Sequence, residues 1–392
     1  MNLNNIPGII NKVFPIPGRF KSALSSDIAE LSRMLTNAKG DRSLSYLSRP
    51  NLLTAYLYYF MPWNIYRLNH ILPNLEISLN AGDIITDIGC GPLTFTSALW
   101  IARPSLREIP LEFNCMDRSN QALEAGIKFF ISLCETENAK SKWKINLIKE
   151  DIDFRKTGGR EITKISKEKK ASLVCAVNFF NEQYERIPHN NTEKLRKTAA
   201  IATGFLLKNS AENASILTIE PGIPQSGKFI SLLRGCFLEQ NHKAVSPCAH
   251  NSFCPLCASG KEQRNRKQWC HFAFDAKNAP AELHRLSVNA GLPKDRLTLS
   301  YLYIKKENQL QEAKKSIRAE NHADTRVISD IFRLQDDDFG CYGCSEKGLL
   351  LIKLNKIEIN KIKNGNLVKS FINKNNQRDI KSGALIAGLT KE

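Results

Sequence analysis

Thr86-Asp87-Ile88-Gly89-Cys90-Gly91-Pro92 is the stretch that decides the fold. It ends an apolar run that begins at Ile84 and leads straight into a helical stretch, Leu93 to Ala102. Glycines at this junction let the backbone turn sharply and approach a ligand with no Cβ in the way. A dinucleotide fingerprint needs a further glycine three positions after Gly91, where Thr94 stands, so the loop fits S-adenosylmethionine better than NAD. Outward from this loop, apolar runs at Leu111–Met116, Lys144–Ile148, Ser172–Val177 and Ser215–Ile219 follow the first strand, Ile84–Ile88. The connections between them are long enough for crossover helices, which predicts an α/β, Rossmann-like body with a doubly wound parallel sheet.

Ligands of such sheets bind at the carboxyl ends of the strands. Asp87, Gly89 and Gly91 belong to the first of those ends. Asp117, in Cys115-Met116-Asp117-Arg118-Ser119, stands where an acid would hold ribose hydroxyls, and Asp151 stands where the adenine amino group is usually met. A lone Gly-x-Gly is more often a plain turn; strand, glycines, helix and two placed acids together point to adenosylmethionine. The fourth strand end, Asn178-Phe179-Phe180-Asn181-Glu182, lacks the two prolines of an amino-methylating motif, and no Pro-Cys nucleophile is present there. Asn181 and Glu182 would orient a substrate, or equally would cap the next helix. The chemistry of any methyl transfer is therefore left open.

Before the sheet, Ser25-Ser26-Asp27 is expected to cap a helix Ile28–Leu35, and a second helix is expected over Leu52–Leu72. After Arg234 the alternation stops. A cysteine-rich insert, a strand-like Leu297–Ile304, a polar connector Lys305–Asn321 and a β-rich tail carrying Cys341–Leu354 follow. The expected organisation is an N-terminal helical region (1–75), a Rossmann-like domain (76–240), a cysteine-rich region (241–310) and a basic C-terminal β segment and tail (311–392).

The 392 residues carry 56 Lys and Arg against 39 Asp and Glu, a formal charge of +17, which attracts polyanions. Lys261, Arg264, Arg266 and Lys267 lie inside the cysteine loop, Lys305, Lys306, Lys314, Lys315 and Arg318 follow it, and the tail from Lys347 is rich in Lys and Asn. No run approaches the roughly 20 apolar residues that span a bilayer, and no basic amphipathic helix suggests a membrane surface. The first 26 residues hold Lys12, Arg19 and Lys21 and no acid, but Pro7, Pro15 and Pro17 break them, which argues against a secretory signal and leaves a mitochondrial presequence as the alternative.

Six of the eleven cysteines fall in two short stretches: Cys248, Cys254, Cys257 and Cys270, then Cys341 and Cys344. Clustered cysteines without a signal peptide indicate a reducing compartment and a metal centre rather than disulfides. On spacing alone zinc would take Cys248, Cys254, Cys257 and Cys270, with His250 or His271 in reserve. An iron-sulfur cluster also takes four cysteines, and ligand count does not separate the two.

Asp87-Ile-Gly-Cys-Gly-Pro92, Phe180-Asn-Glu182, Glu220-Pro-Gly222 with Arg234, Pro247-Cys-Ala-His250, Cys254-Pro-Leu256, Trp269-Cys-His-Phe272 and Ser300-Tyr301 occur here in one order. Together with Tyr46-Leu47-Ser48 and Ala55–Pro62 they resemble the methyltransferase-like small-ribosomal-subunit assembly factors of mitochondria and bacteria, over about residues 25 to 355. The resemblance implies a class I methyltransferase fold, adenosylmethionine, a [4Fe-4S] cluster held by Cys248, Cys254, Cys270 and Cys344, and binding to small-subunit ribosomal RNA and the precursor small subunit, with no DNA. It places Cys257 and Cys341 outside the ligand set. It implies the bacterial cytoplasm, or the mitochondrial matrix in a eukaryote. The alternative is an active ribosomal-RNA methyltransferase with a structural zinc.

Overall fold

The computed structural model describes residues 3–36, 46–154, 170–257, 269–306, 321–334, 338–373 and 375–390. The chain divides into two compact units, the first made of residues 1–188, 208–211 and 275–297, the second of 189–207, 212–274 and 298–392.

In the first unit, β1 (Ile84–Ile88), β2 (Glu112–Asp117), β3 (Lys144–Lys149) and β4 (Ala171–Val177) form parallel strands in the order β3-β2-β1-β4. Every residue of β1 is buried, because a central parallel strand is covered on both faces. Asp87 is in register with Cys115 on one side and Cys175 on the other. The order reverses direction between β1 and β4, and this opens a crevice at the carboxyl ends of these strands. Behind the sheet, Phe113 stacks on Trp143 with ring centroids 4.5 Å apart, and Trp100 meets Trp143 edge-on at 5.0 Å. Each such ring contributes about 1.5–3 kcal/mol by leaving water.

The N-terminal helices are α1 (Ile6–Val13), α2 (Leu24–Thr36), α3 (Pro50–Ala55) and α4 (Met61–Leu68). Ser25, Ser26 and Asp27 lie inside α2 rather than before it, since the Asp27 N–H already bonds the Ala23 carbonyl at 2.9 Å. The single helix expected over Leu52–Leu72 is interrupted by a π-turn, Tyr56–Phe60, in which the Met61 N–H reaches the Tyr56 carbonyl five residues back. Pro62 has no N–H to continue the ordinary ladder, and the backbone widens by one residue there. A left-handed Leu93, φ 54°, admits α5 (Thr94–Ala102), while the Ser119 side chain caps α6 (Asn120–Thr136) by accepting the Ala122 N–H at 3.2 Å. Gly126 of α6 lets that helix lie against the glycine loop, since a Cβ there would stand 2.5 Å from the Pro92 carbonyl carbon.

In the second unit, β5 (Ser210–Pro221), β8 (Arg296–Lys306) and β6 (His242–Ser246) run antiparallel to their neighbours in the order β5-β8-β6, with β7 (Phe272–Asp275) paired to β8. The tail is a separate sheet of β9 (His322–Val327), β10 (Phe332–Arg333), β11 (Phe339–Ser345), β12 (Gly348–Leu354), β13 (Leu367–Ile372) and β14 (Leu385–Leu389). Pairings run β9-β11-β12-β14-β13 and back to β9, so these five strands close into a barrel; β12 with β14 is parallel and the other four pairs are antiparallel. That order, with one parallel pair joining the third and fifth strands, is the connectivity of the OB-fold. Val327, Cys341, Leu350, Ile352, Leu354, Ile372, Leu385 and Ala387 fill its core. The β-rich tail thus extends well beyond Cys341–Leu354.

Candidate cofactor pocket and cysteine centre

A cleft opens at the carboxyl ends of β1, β2, β3 and β4, lined among others by Gly89, Gly91, Asp117, Asp151, Asn178 and Glu182. The glycine loop is held from below by Asp117. Its Oδ2 accepts the Gly91 N–H at 2.9 Å and its Oδ1 accepts the Ser119 N–H at 2.8 Å. Burial pushes the Asp117 carboxyl up from its ordinary value, and those two N–H donors oppose the shift. Gly89 carries φ +65°, and a Cβ there would sit 2.5 Å from Cδ2 of Phe179, so the ring covers the loop only because the position is glycine.

Across the cleft, Arg118 donates to Glu182 Oε2 at 2.9 Å and the Tyr46 hydroxyl donates to Glu182 Oε1 at 3.2 Å. Glu182 is thereby fixed as the anchor of a three-residue bar over one side of the pocket. Burial, followed by the Glu182 charge, pushes the Tyr46 hydroxyl well above its ordinary value; burial takes Tyr56 to about 12. Asn178 is left-handed, φ 53°, and its Oδ1 is buried without a hydrogen-bond partner among the described residues.

Asp87 stands apart. It is completely buried, its Oδ2 accepts the Thr96 hydroxyl at 3.1 Å, and burial raises its carboxyl to about 7. It does not line the cleft. Its place is beneath the loop, where it ties β1 to α5.

In the second unit, Cys248, Cys254, Cys270 and Cys344 come together. Burial pushes Cys344 well above its ordinary value, and the thiols of Cys254, Cys248 and Cys270 add to it; Cys270 is raised in the same way by burial and by Cys248 and Cys254. Helices α7 (Phe180–Tyr184), α8 (Thr192–Asn209) and α9 (Pro224–Glu239) follow α6, and Arg234 on α9 is only 3% exposed. Its Nε donates to Cys248 Sγ at 3.2 Å, and its Nη2 to the carbonyls of His250 and Ser252 at 2.7 and 2.9 Å. Arg326 donates to the Pro247 carbonyl, and its charge opposes the rise at Cys248 and Cys270. His250 Nε2 lies 3.4 Å from Cys344 Sγ, and burial, then Arg234, lowers His250 to about 4. Cys257 is raised to about 11 by burial and Cys254, while Cys341 belongs to the barrel core. Among the described residues, no three His, Cys, Asp or Glu side chains are arranged to hold a metal ion.

A family model described as mitochondrial small ribosomal subunit Rsm22 matches residues 54–340, most of the chain, including Cys248, Cys254 and Cys270 and the strand ends of the cleft but neither Tyr46 nor Cys344. The chain belongs to the Rsm22 family. No curated protein sequence matches it significantly. Among solved structures it is similar to YjhP from E. coli (10% identity, covering 70% of this chain and 100% of that one, TM-score 0.33). It is also similar to a SAM-dependent methyltransferase from Geobacter sulfurreducens in complex with S-adenosyl-L-homocysteine (10%, 71% and 98%, TM-score 0.32) and to a putative class I S-adenosylmethionine-dependent methyltransferase from Listeria monocytogenes (8%, 80% and 88%, TM-score 0.33). The fold of this Rsm22-family chain is α/β, with parallel strands in the order β3-β2-β1-β4 in its first unit.

Of the pocket residues expected from sequence, the cleft brings together Gly89, Gly91, Asp117, Asp151 and Glu182, and leaves out Asp87 and Asn181. Sequence reasoning missed Tyr46, Tyr56, Arg118 and Phe179 as pocket residues and passed over Asn178 as a strand end. The π-turn that aims Tyr56 inward has a signal in the aromatic run before Pro62; the Arg118–Glu182 pair has none. Lys261, Arg264, Arg266, Lys267, Lys314, Lys315 and Arg318 lie outside the described residues. No helix among the described residues is long and apolar enough to cross a membrane.

Proposed function

We propose that this Rsm22-family chain binds S-adenosylmethionine in the cleft, holds a [4Fe-4S] cluster on Cys248, Cys254, Cys270 and Cys344, and binds small-subunit ribosomal RNA to assist assembly of the precursor small subunit in the mitochondrial matrix or its bacterial equivalent. The observation that carries the ribosomal part is the family match over residues 54–340. Cofactor binding is supported by two backbone glycines at the strand switch with acids at the next two strand ends. The thiol group fits the cluster by chemistry: burial and then the neighbouring thiols raise Cys248, Cys270 and Cys344, and buried Arg234 with Arg326 offsets the charge acquired on deprotonation. Such a cluster would supply a cross-link between the 248–270 loop and β11. Anaerobic purification with iron, sulfide and zinc analysis tests this: stoichiometric zinc without iron refutes the cluster, and calorimetry showing no adenosylmethionine binding refutes the cofactor.

One observation favours a second reading, an active ribosomal-RNA methyltransferase with a structural zinc. Asn178, whose Oδ1 has no partner among the described residues, lines the cleft and would accept a hydrogen bond from an amine. Labelled methyl transfer to precursor small-subunit RNA, abolished in Asn178→Ala, would establish that reading.

A further inference from the structure

We propose that the outer face of β9 and β13 in the C-terminal barrel is a binding platform for single-stranded RNA. This rests on the ribosomal-RNA reading and assigns it a surface. In OB barrels nucleic acid lies across the second and third strands, here β11 and β12. That face is already occupied. Cys344 points outward from β11 into the thiol group, and the outward-facing Leu349 and Leu351 of β12 are 4% and 3% exposed. A nucleic acid must therefore use another side of the barrel.

The outward side of β13 supplies one. Leu367 is 55% exposed and Phe371 36% exposed, with exposed Lys369 between them, while Ser370 and Ile372 turn inward. His322 of β9 pairs with Phe371 in register, and their rings lie 5.3 Å apart at 60°. An exposed Phe371 ring backed by the half-buried His322 ring on a closed barrel is a stacking platform, and bases have two faces to offer it. Exposed Lys361 and Lys363 precede the strand, and exposed Arg378 and Lys381 follow it. From Lys347 to Glu392 ten Lys and Arg face three Asp and Glu, so the charge complements phosphate. Of these acids Asp379 is engaged with Ser382; on β9 a further acid, Asp324, lies opposite Lys369. The bases of a duplex are stacked on one another and cannot reach Phe371, which selects single strands.

The test is fluorescence anisotropy of the full chain with a short oligouridylate and with a duplex of the same length, over a range of salt. Phe371→Ala should weaken single-strand binding roughly 5- to 100-fold, the cost of one lost stack, without changing the salt slope. Lys369→Ala with Arg378→Ala should lower that slope by about 0.7 for each lost contact. Lys369→Glu, a fully surface change, keeps the test valid if Phe371→Ala loosens the barrel. Single-strand binding unaffected by Phe371→Ala and Lys369→Glu, or a duplex bound as tightly as the single strand, overturns the inference. Wild-type protein that co-sediments with precursor small subunits but ignores the oligonucleotide overturns this surface alone; failure in both assays overturns the ribosomal reading as well.

Discussion

Arg234 is the residue whose removal has the most calculable consequence. Its guanidinium is buried and makes one bond to a thiol and two to carbonyls of the 250–252 turn, at 3.2, 2.7 and 2.9 Å. Bonds from a charged donor contribute about 1.5–3 kcal/mol each, and breaking a buried charged contact costs about 3–5 kcal/mol because the partners are left without one. Arg234→Gln is too short to reach all three acceptors, so the turn carrying Cys248 should open more easily by about 3–5 kcal/mol. Arg234→Lys keeps the charge but replaces a planar fork by a point donor, and should fall between the two. Hydrogen exchange reads this locally: amides within 248–257 should exchange about a hundredfold faster or more in the Gln variant, since 1.4 kcal/mol is a factor of about ten. Iron held by the proposed cluster should fall in parallel. Exchange and iron content equal to wild type in Arg234→Gln would show that the guanidinium merely fills space.

Gly89→Ala puts a Cβ against Phe179 at a left-handed position costing about 1–2 kcal/mol, so adenosylmethionine affinity measured by calorimetry should drop on the order of tenfold. Asp87 stays protonated up to about 7 in the folded chain but ionises from about 4 when unfolded, so its contribution is full below pH ~4 and is lost as pH rises to ~7. Asp87→Asn should therefore flatten the fall in thermal stability across that window, by up to about 4 kcal/mol. Cys344→Ser should lose iron, whereas Cys341→Ser and Cys257→Ser should keep it, as read by iron and sulfide analysis. Replacing Lys261, Arg264, Arg266 and Lys267 by Ala should reduce the salt slope of small-subunit RNA binding by somewhat under one unit per lost contact, and an unchanged slope would remove that loop from the RNA face.

The parallel strands were legible because covering on both faces leaves long apolar runs, and the glycine loop because only glycine tolerates φ +65° under a ring. Element edges were less so: Ser25-Ser26-Asp27 reads as a cap but continues a helix already begun at Leu24. The barrel strands were hidden in a Lys- and Asn-rich tail. β13 alternates Leu367, Lys369 and Phe371 outward with Ser370 and Ile372 inward, so its apolar residues fall on both faces and no clean period appears. In the pocket, the position of Asp117 was readable and its occupation was not. Two backbone N–H groups already fill its near lone pairs, which makes it first a support of the glycine loop.

The two C-terminal cysteines show how strand geometry settles what spacing leaves open. Residues three apart on a strand point to opposite faces. Cys341 is therefore inside the barrel with Leu350 and Ile352, and Cys344 is outside, facing His250 and the thiols of the 248–270 loop. A centre drawing on β11 can take one of the pair, and its other ligands must come from elsewhere in the chain. The register of β11 against β12, Cys341 opposite Ile352 and Cys344 opposite Leu349, decides which one. A slip of one residue would turn Cys344 into the core and Cys341 outward, moving the outward thiol along the strand and bringing the bulky Tyr342 inside in exchange for Gly343. Barrel packing and the outward placement of Cys344 thus constrain the same register, and the proposed cluster would draw on Cys344 only in a chain whose barrel has closed in that register.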